Sequence, residues 1–205
     1  MSKSPATGDW REARRDAARE AIVDAAWALV REEGLAGLSL RDLAKRAGIT
    51  TQTVYAYFDS KLAIYDAMFG RAATEFADWM AMPDGDGLRP RERLAAALQR
   101  FVAFCTADVA RYQLLFQRTI PDFEPSPESY APAVRALDGT VARLAAIGIT
   151  DPRLADLWTA CTVGLVSQQI SNDPGGDRWV RLIPDVVDMY LAHCLPSRST
   201  RTRRT

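Results

Sequence analysis

The sequence predicts an all-α protein. Apolar residues recur every three or four positions along most of the chain, the period of an amphipathic helix. Capping residues and helix-stopping Gly and Pro punctuate those runs at helix-length intervals. No stretch alternates apolar and polar residues as a half-buried strand would.

About nine helices follow from this punctuation. Residues 1–8 read as a disordered lead-in. Asp9 with Glu12 spells a capping box, and helix one runs on to about Glu33. Its buried stripe is Ile22, Ala25, Ala26, Leu29 and Val30. Arg11, Arg14, Arg15 and Arg19 lie near its start. They form either a solvated face paired at i,i+4 with Asp16 and Glu20, or contacts for phosphate.

Ser39 caps helix two, which starts at Leu40, and Asp42 stands three residues on, where a capping box places its acid. Leu40, Leu43, Ala44 and Ala47 share one apolar face. Gly48 stops the helix because it enters the left-handed region without steric cost. Ile49 is expected to be buried at the elbow, and Thr50 caps the next short helix, about 51–57. In that third helix Val54 and Phe58 point together toward a core.

Asp59 opens helix four, which runs to about Met80 with Leu62, Tyr65, Met68, Phe69, Ala72, Phe76 and Trp79 along one side. The Pro- and Gly-rich segment 82–91 reads as a boundary. Helices five and six cover about 91–106 and 108–118, and the loop 119–127 holds three prolines. Helix seven ends at Ile147, stopped by Gly148. Asp151-Pro152 starts helix eight by the cap-then-proline rule, and it ends near Asn172. A turn at 173–176 leads to helix nine, about 177–194, which Pro184 is expected to bend.

Composition narrows the function classes. The chain has 205 residues, enough for one large or two small domains, and 48% of them are hydrophobic, ample for a core. No apolar run approaches the roughly 18 residues of a membrane span, and no signal peptide is read, so a cytoplasmic location is expected. Cys105, Cys161 and Cys194 are far apart in sequence and form no CxxC pair, so they read as free thiols in a reducing compartment. A thiol-based redox switch at Cys105 or Cys161 is the alternative. His193 is the only histidine and reads as a surface or capping group. There is no Ser-His-Asp order, phosphate-cradling glycine loop or supported carboxylate pair, so no catalytic residue, cofactor or metal is expected. A helical enzyme is the remaining rival.

Net charge is zero, with 26 Lys and Arg against 26 Asp and Glu. Its distribution is uneven. Residues 38–61 carry Arg41, Lys45, Arg46 and Lys61 against Asp42 and Asp59, and the tail holds Arg198, Arg201, Arg203 and Arg204 without an acid. A neutral protein still binds DNA when its basic groups share one face.

Residues 38–61 carry the functional argument. Thr51, Gln52, Thr53, Tyr55 and Tyr57 cover the outer faces of the third helix with short or planar side chains that end in hydrogen-bonding groups. Such a helix fits a major groove about 12 Å wide. Lys61 sits beside a helix N-terminus, an unfavourable place for a cation that a phosphate would offset. An ordinary helical hairpin with a polar outer face is the plain alternative.

The segment resembles the TetR family of bacterial transcriptional regulators. The matching residues are Gly34, Leu38 to Arg41, Leu43, Ala44, Ala47 to Ile49, Val54, Tyr55, Tyr57, Phe58, Lys61 and Leu62. The resemblance covers roughly residues 15–70. It implies a DNA-binding domain over 9–58, a connecting helix over 59–80 and a ligand-binding and dimerisation domain over 81–195, with a basic tail at 196–205. Thr51, Gln52 and Thr53 are the expected base readers, Gln52 foremost because its amide pairs bidentately with adenine. Ser39, Tyr55, Tyr57 and Lys61 are expected at phosphates, Thr50 among the DNA-binding residues, and Arg41 at either a base or a phosphate.

The second half carries two amphipathic helices, which pack either on each other or on their copies in a second subunit. The resemblance implies the second arrangement, a homodimer through Leu157, Cys161, Gly164, Leu165, Gln168, Trp179, Leu182, Val186, Met189 and Tyr190. It also implies a small-molecule cavity. Candidate liners are Trp79, Phe101, Phe104, Cys105, Tyr112, Phe116, Trp158, Thr162 and Gln169, a set equally consistent with plain core.

Overall fold

The computed structural model describes residues 9–83, 85 and 87–195, with the side chain of Asp9 left aside. The expected capping role of Asp9 and the basic tail therefore lie outside the described residues. Nine α-helices and two short 3-10 turns make up the described chain, without a strand. The helices are α1 Asp9–Glu33, α2 Leu40–Arg46, α3 Thr51–Tyr55, α4 Lys61–Ala81, α5 Pro90–Ala107, α6 Val109–Phe116, α7 Pro127–Ala145, α8 Pro152–Asn172 and α9 Ile183–Cys194.

The chain divides into two compact units. One runs to Ala73 and resumes over Ala110–Ala131; the other holds Thr74–Val109 and resumes at Pro132. The divide falls inside α4 and α7, whereas Pro/Gly content points to residues 82–91.

In the first unit, α1 buries the expected Ile22, Ala25, Ala26, Leu29 and Val30, and Val23 and Trp27 besides. Ile64, Tyr65, Met68 and Phe69 of α4 are buried there too. The Tyr65 hydroxyl donates to the Leu35 carbonyl, and burial pushes its ionisation up to about 12. Arg71 of α4 reaches Asp24 at 2.6 Å and Glu20 at 3.2 Å on α1, so Glu20 spends its charge across the helix pair.

In the second unit, α5 packs on α8 and α9. Arg91 of α5 holds Asp188 of α9 through two bonds of 2.5 and 2.8 Å. Trp158 and Tyr190 pack with ring centroids 4.8 Å apart, and the Tyr190 hydroxyl donates to the Leu154 carbonyl. Phe76 of α4 meets Phe101 and Phe104 of α5 at 5.9 and 5.1 Å.

Three expectations change. The α4 stripe turns by part of a helical face: Leu62 and Trp79 are exposed, while Ile64, Ala73, Ala77 and Met80 are buried in their place. Ser60, not Asp59, caps α4, accepting the Ala63 amide at 3.0 Å. Pro184 bends nothing, because a 3-10 turn at Val180–Leu182 precedes α9 and leaves Pro184 in its first turn. A helix N-terminus has no acceptor for that N–H, so proline is tolerated there.

Candidate nucleic-acid interface

The α2–α3 pair is built from local hydrogen bonds. The Ser39 Oγ accepts the Asp42 amide at 3.1 Å and its hydroxyl donates back to the Asp42 carboxylate. At the other end Gly48 adopts φ 68°. The Gly48 amide bonds Lys45 O at 3.3 Å and the Ile49 amide bonds Ala44 O at 3.0 Å, the two bonds of a Schellman ending. Thr50 then caps α3, its Oγ1 accepting the Thr53 amide at 3.1 Å. Ile49 is only half-buried, since the amide bond, and not side-chain burial, sets the elbow.

The underside of α3 is sealed: Val54 and Phe58 are 0% and 2% exposed. The outer side is open, with Gln52 and Tyr55 exposed and Thr51, Thr53 and Tyr57 half-buried. The Thr53 hydroxyl lies 2.9 Å from that of Thr50, so part of its capacity is spent within the chain. Gln52 stands exposed in α3. Arg41 is exposed on α2, Ser39 is half-buried, and Lys61 is the first residue of α4 with its Nζ 5.7 Å from the Tyr65 ring centre.

Arg19 is a positioning residue that sequence reasoning left among the surface charges. Its guanidinium donates to Tyr57 O at 2.5 Å and covers the Phe58 ring at 4.3 Å. It thereby fixes α1 against the end of α3, over 38 residues of sequence separation. Arg46 is likewise occupied, donating to Glu32 at 2.9 Å. Arg11, Arg14 and Arg15 remain exposed.

The candidate ligand residues are mostly core. In the second unit Phe101, Phe104, Cys105, Trp158 and Thr162 are buried, and the Thr162 hydroxyl donates to Thr159 O. Trp79 is 40% exposed with its indole N–H on Arg100 O at 2.9 Å. In the first unit Tyr112 is buried beside the half-buried Phe116. Phe116 lines a groove of about 420 Å3 in that unit.

Gln169 is a scaffold group. Its Oε1 accepts the Trp179 and Val180 amides at 2.9 and 3.2 Å, and its Nε2 donates to the carbonyls of Asp173 and, at 3.1 Å, Gly176. It organises the turn before α9, with little capacity left for a ligand. Gln169→Ala is expected to cost about 1–3 kcal/mol by orphaning those groups. Urea denaturation measures it, and an unchanged midpoint would show that the turn supports itself.

The candidate dimer residues split. Leu165 and Tyr190 are buried in their own chain and are removed from the outer face. Leu157, Leu182 and Met189 are 37%, 38% and 59% exposed, Gln168 and Gly164 are exposed, and Cys161, Trp179 and Val186 are half-buried. Cys105 is fully buried. Burial, with Cys194 and then Cys161 beside it, raises the Tyr190 hydroxyl's ionisation. No helix among the described residues is long and apolar enough to cross a membrane.

A capped helix, a Schellman turn and a short polar helix held over a buried underside make a helix-turn-helix. Residues 22–68 match the model of the tetR family of bacterial regulatory proteins. An uncharacterised HTH-type transcriptional regulator of Mycobacterium tuberculosis is 33% identical over 91 residues, 44% of this chain and 45% of that protein, so the match spans under half of each. The HTH-type transcriptional activator FasR of Mycolicibacterium smegmatis is 29% identical over 128 residues, 62% of this chain and 57% of that one. The crystal structure of FadR from Bacillus subtilis, in complex with stearoyl-CoA, shares the fold with a TM-score of 0.63 at 22% identity, over 84% of this chain and 97% of that one. The family likeness is thus shown over residues 22–68, which hold α2, α3 and the parts of α1 and α4 beside them.

Proposed function

We propose that the chain is a homodimeric, cytoplasmic repressor that binds a palindromic DNA operator and leaves it when a small, mostly apolar ligand binds. The observation that carries this reading is the rigidly capped α2–α3 pair, with Gln52 exposed above the sealed Val54–Phe58 underside. Residues 9–58 form the DNA-binding domain, 59–80 the connecting helix and 81–195 the ligand-binding and dimerisation domain. Thr51, Gln52 and Thr53 read base edges; Ser39, Tyr55, Tyr57 and Lys61 hold phosphates, Thr50 lies in the same DNA-binding set, and Arg41 takes either role.

A single helix of this length reads only a few base pairs, whereas a twofold pair reads a palindrome with half-sites about 34 Å apart. The exposed apolar groups Leu157, Leu182 and Met189 on α8, the turn before α9, and α9 support that pairing. FadR holding stearoyl-CoA supports a ligand-responsive reading. A coupling of ~1–3 kcal/mol between ligand and operator changes DNA affinity ~5–150-fold.

Gln52→Ala is expected to relax the preference at one base position and cost ~1–3 kcal/mol there. Lys61→Ala is expected to weaken all duplexes alike and to flatten the salt dependence. Mobility shifts over operator variants and salt concentrations separate the two. An unaltered sequence preference in Gln52→Ala would remove Gln52 from base readout.

A further inference from the structure

Helix α7 is held at both ends but is apolar on its outward side. Its first turn belongs to the first unit, where the Asp66 carboxylate of α4 accepts the Ser126 amide at 2.6 Å and the Ser126 and Ser129 hydroxyls at 2.9 Å each. From Pro132 onward α7 belongs to the second unit. There Pro132, Ala136 and Leu144 bury its inner side, and the Arg143 guanidinium donates to the Met80 carbonyl at 3.1 Å.

Outward lie Val134, Leu137 and Val141, which are 42%, 50% and 44% exposed. Ala142 and Ala145 are exposed beside them. Arg135 and Asp138 are the only charged residues exposed between Pro132 and Ala145. A solvated helix ordinarily turns charged and polar groups outward, so this face has the composition of a covered one. Val134, Leu137 and Val141 follow one another at intervals of three and four residues, the a/d seam along which one helix packs on another. The seam is about 10 Å long at 1.5 Å per residue.

The charges favour a second copy of the chain as its cover. At about 100° per residue, Asp138 falls about 40° and Arg135 about 100° from Val134, both on the flank away from Leu137. The other flank holds Ala133 and Thr140. In an antiparallel pair related by a twofold axis, each flank meets its own copy. Arg135 set opposite Asp138 of the second copy therefore also sets Asp138 opposite that copy's Arg135. The centre of this register falls between Ala136 and Leu137, within the span of the seam. A parallel pair would instead turn the charged flank toward Ala133 and Thr140. No ion pair among the described residues already engages Arg135 or Asp138.

We infer that the Val134–Leu137–Val141 face is a second self-association surface, which pairs antiparallel with α7 of another copy and is separate from the α8–α9 face. The seam offers three side chains per copy against the about 20–30 residues a side of a stable interface, so the contact is weak, with a dissociation constant on the order of 100 µM. It joins dimers in pairs.

Sedimentation equilibrium of the full chain, from low micromolar to about 1 mM, tests the contact. Wild type is expected to pass from dimer to tetramer over that range. Met189→Asp, which breaks the α8–α9 pairing, is expected to be a monomer at low micromolar concentration and to pass to a dimer through α7 alone. Leu137→Asp and Val141→Asp, both at exposed positions, are expected to weaken the second association about tenfold or more and to leave the first unchanged. Arg135→Asp is expected to weaken it several-fold, and Arg135→Asp with Asp138→Arg to restore it, a rescue that a purely structural role of either charge does not produce. A wild type that stays a dimer at about 1 mM, or a tetramer indifferent to Leu137→Asp and Val141→Asp, overturns the α7 contact. A Leu137→Asp chain that is monomeric at low micromolar concentration puts the stripe in the principal interface and overturns its separateness. Double reversal without recovery overturns the antiparallel register. A wild type monomeric at low micromolar concentration overturns the homodimer reading, while its Leu137-dependent dimerisation at about 1 mM would still support the α7 contact.

Discussion

Phe58→Ala is expected to destabilise the protein by about 3–5 kcal/mol, the usual cost of deleting a buried aromatic ring. Native domains have only about 5–15 kcal/mol to lose. Phe58 is 2% exposed, stands one turn from the fully buried Val54, and supports the Arg19 guanidinium at 4.3 Å. Its loss opens a cavity under α3 and removes the surface on which Arg19 rests while bonding Tyr57 O. Helix α3 spans only Thr51–Tyr55, too short to persist in water without tertiary support. Urea denaturation and a mobility shift on the same preparation report both effects. A variant with the wild-type midpoint would show that α3 is held by its caps alone.

Met189→Asp is expected to convert the proposed homodimer to a folded monomer. Met189 is 59% exposed in the protomer, so the substitution leaves the chain's own core intact. In a twofold interface the same position is covered, and an unpaired carboxylate there costs several kcal/mol per copy. DNA affinity then falls steeply, because the second half-site is no longer delivered at high effective concentration. Sedimentation velocity reads the first outcome and titration of a palindromic duplex the second. A Met189→Asp protein that remains a dimer and binds DNA normally would move the interface off this face.

The parts of the fold that were legible in the sequence are those held by short-range chemistry. Ser39, Gly48, Thr50, Asp151 and Gly148 each act on amides within a few residues of themselves, and each cap or stop falls where the pattern puts it. The helix-turn-helix is such an object throughout, which is why its residues could be named in advance. The buried halves of α8 and α9 were partly legible. Periodicity marks a helix as amphipathic, yet an apolar band is wider than the contact it makes. Leu165 and Tyr190 therefore face inward while Leu157 and Met189, in the same bands, face out.

Sequence alone determined the helical class, the ends of most helices and the helix-turn-helix segment, because backbone amides near a helix end choose partners within a turn. Tertiary structure decided what the polar side chains are for. Arg19 reads as a surface charge until Tyr57 and Phe58 are brought beneath it, and Gln169 as a ligand group until the 173–180 turn takes both ends of its amide. Asp66 carries no local signal, since Ser126 and Ser129 lie 60 and 63 residues away. A polar group's role depends on which partner desolvates it, and only the folded chain supplies that partner.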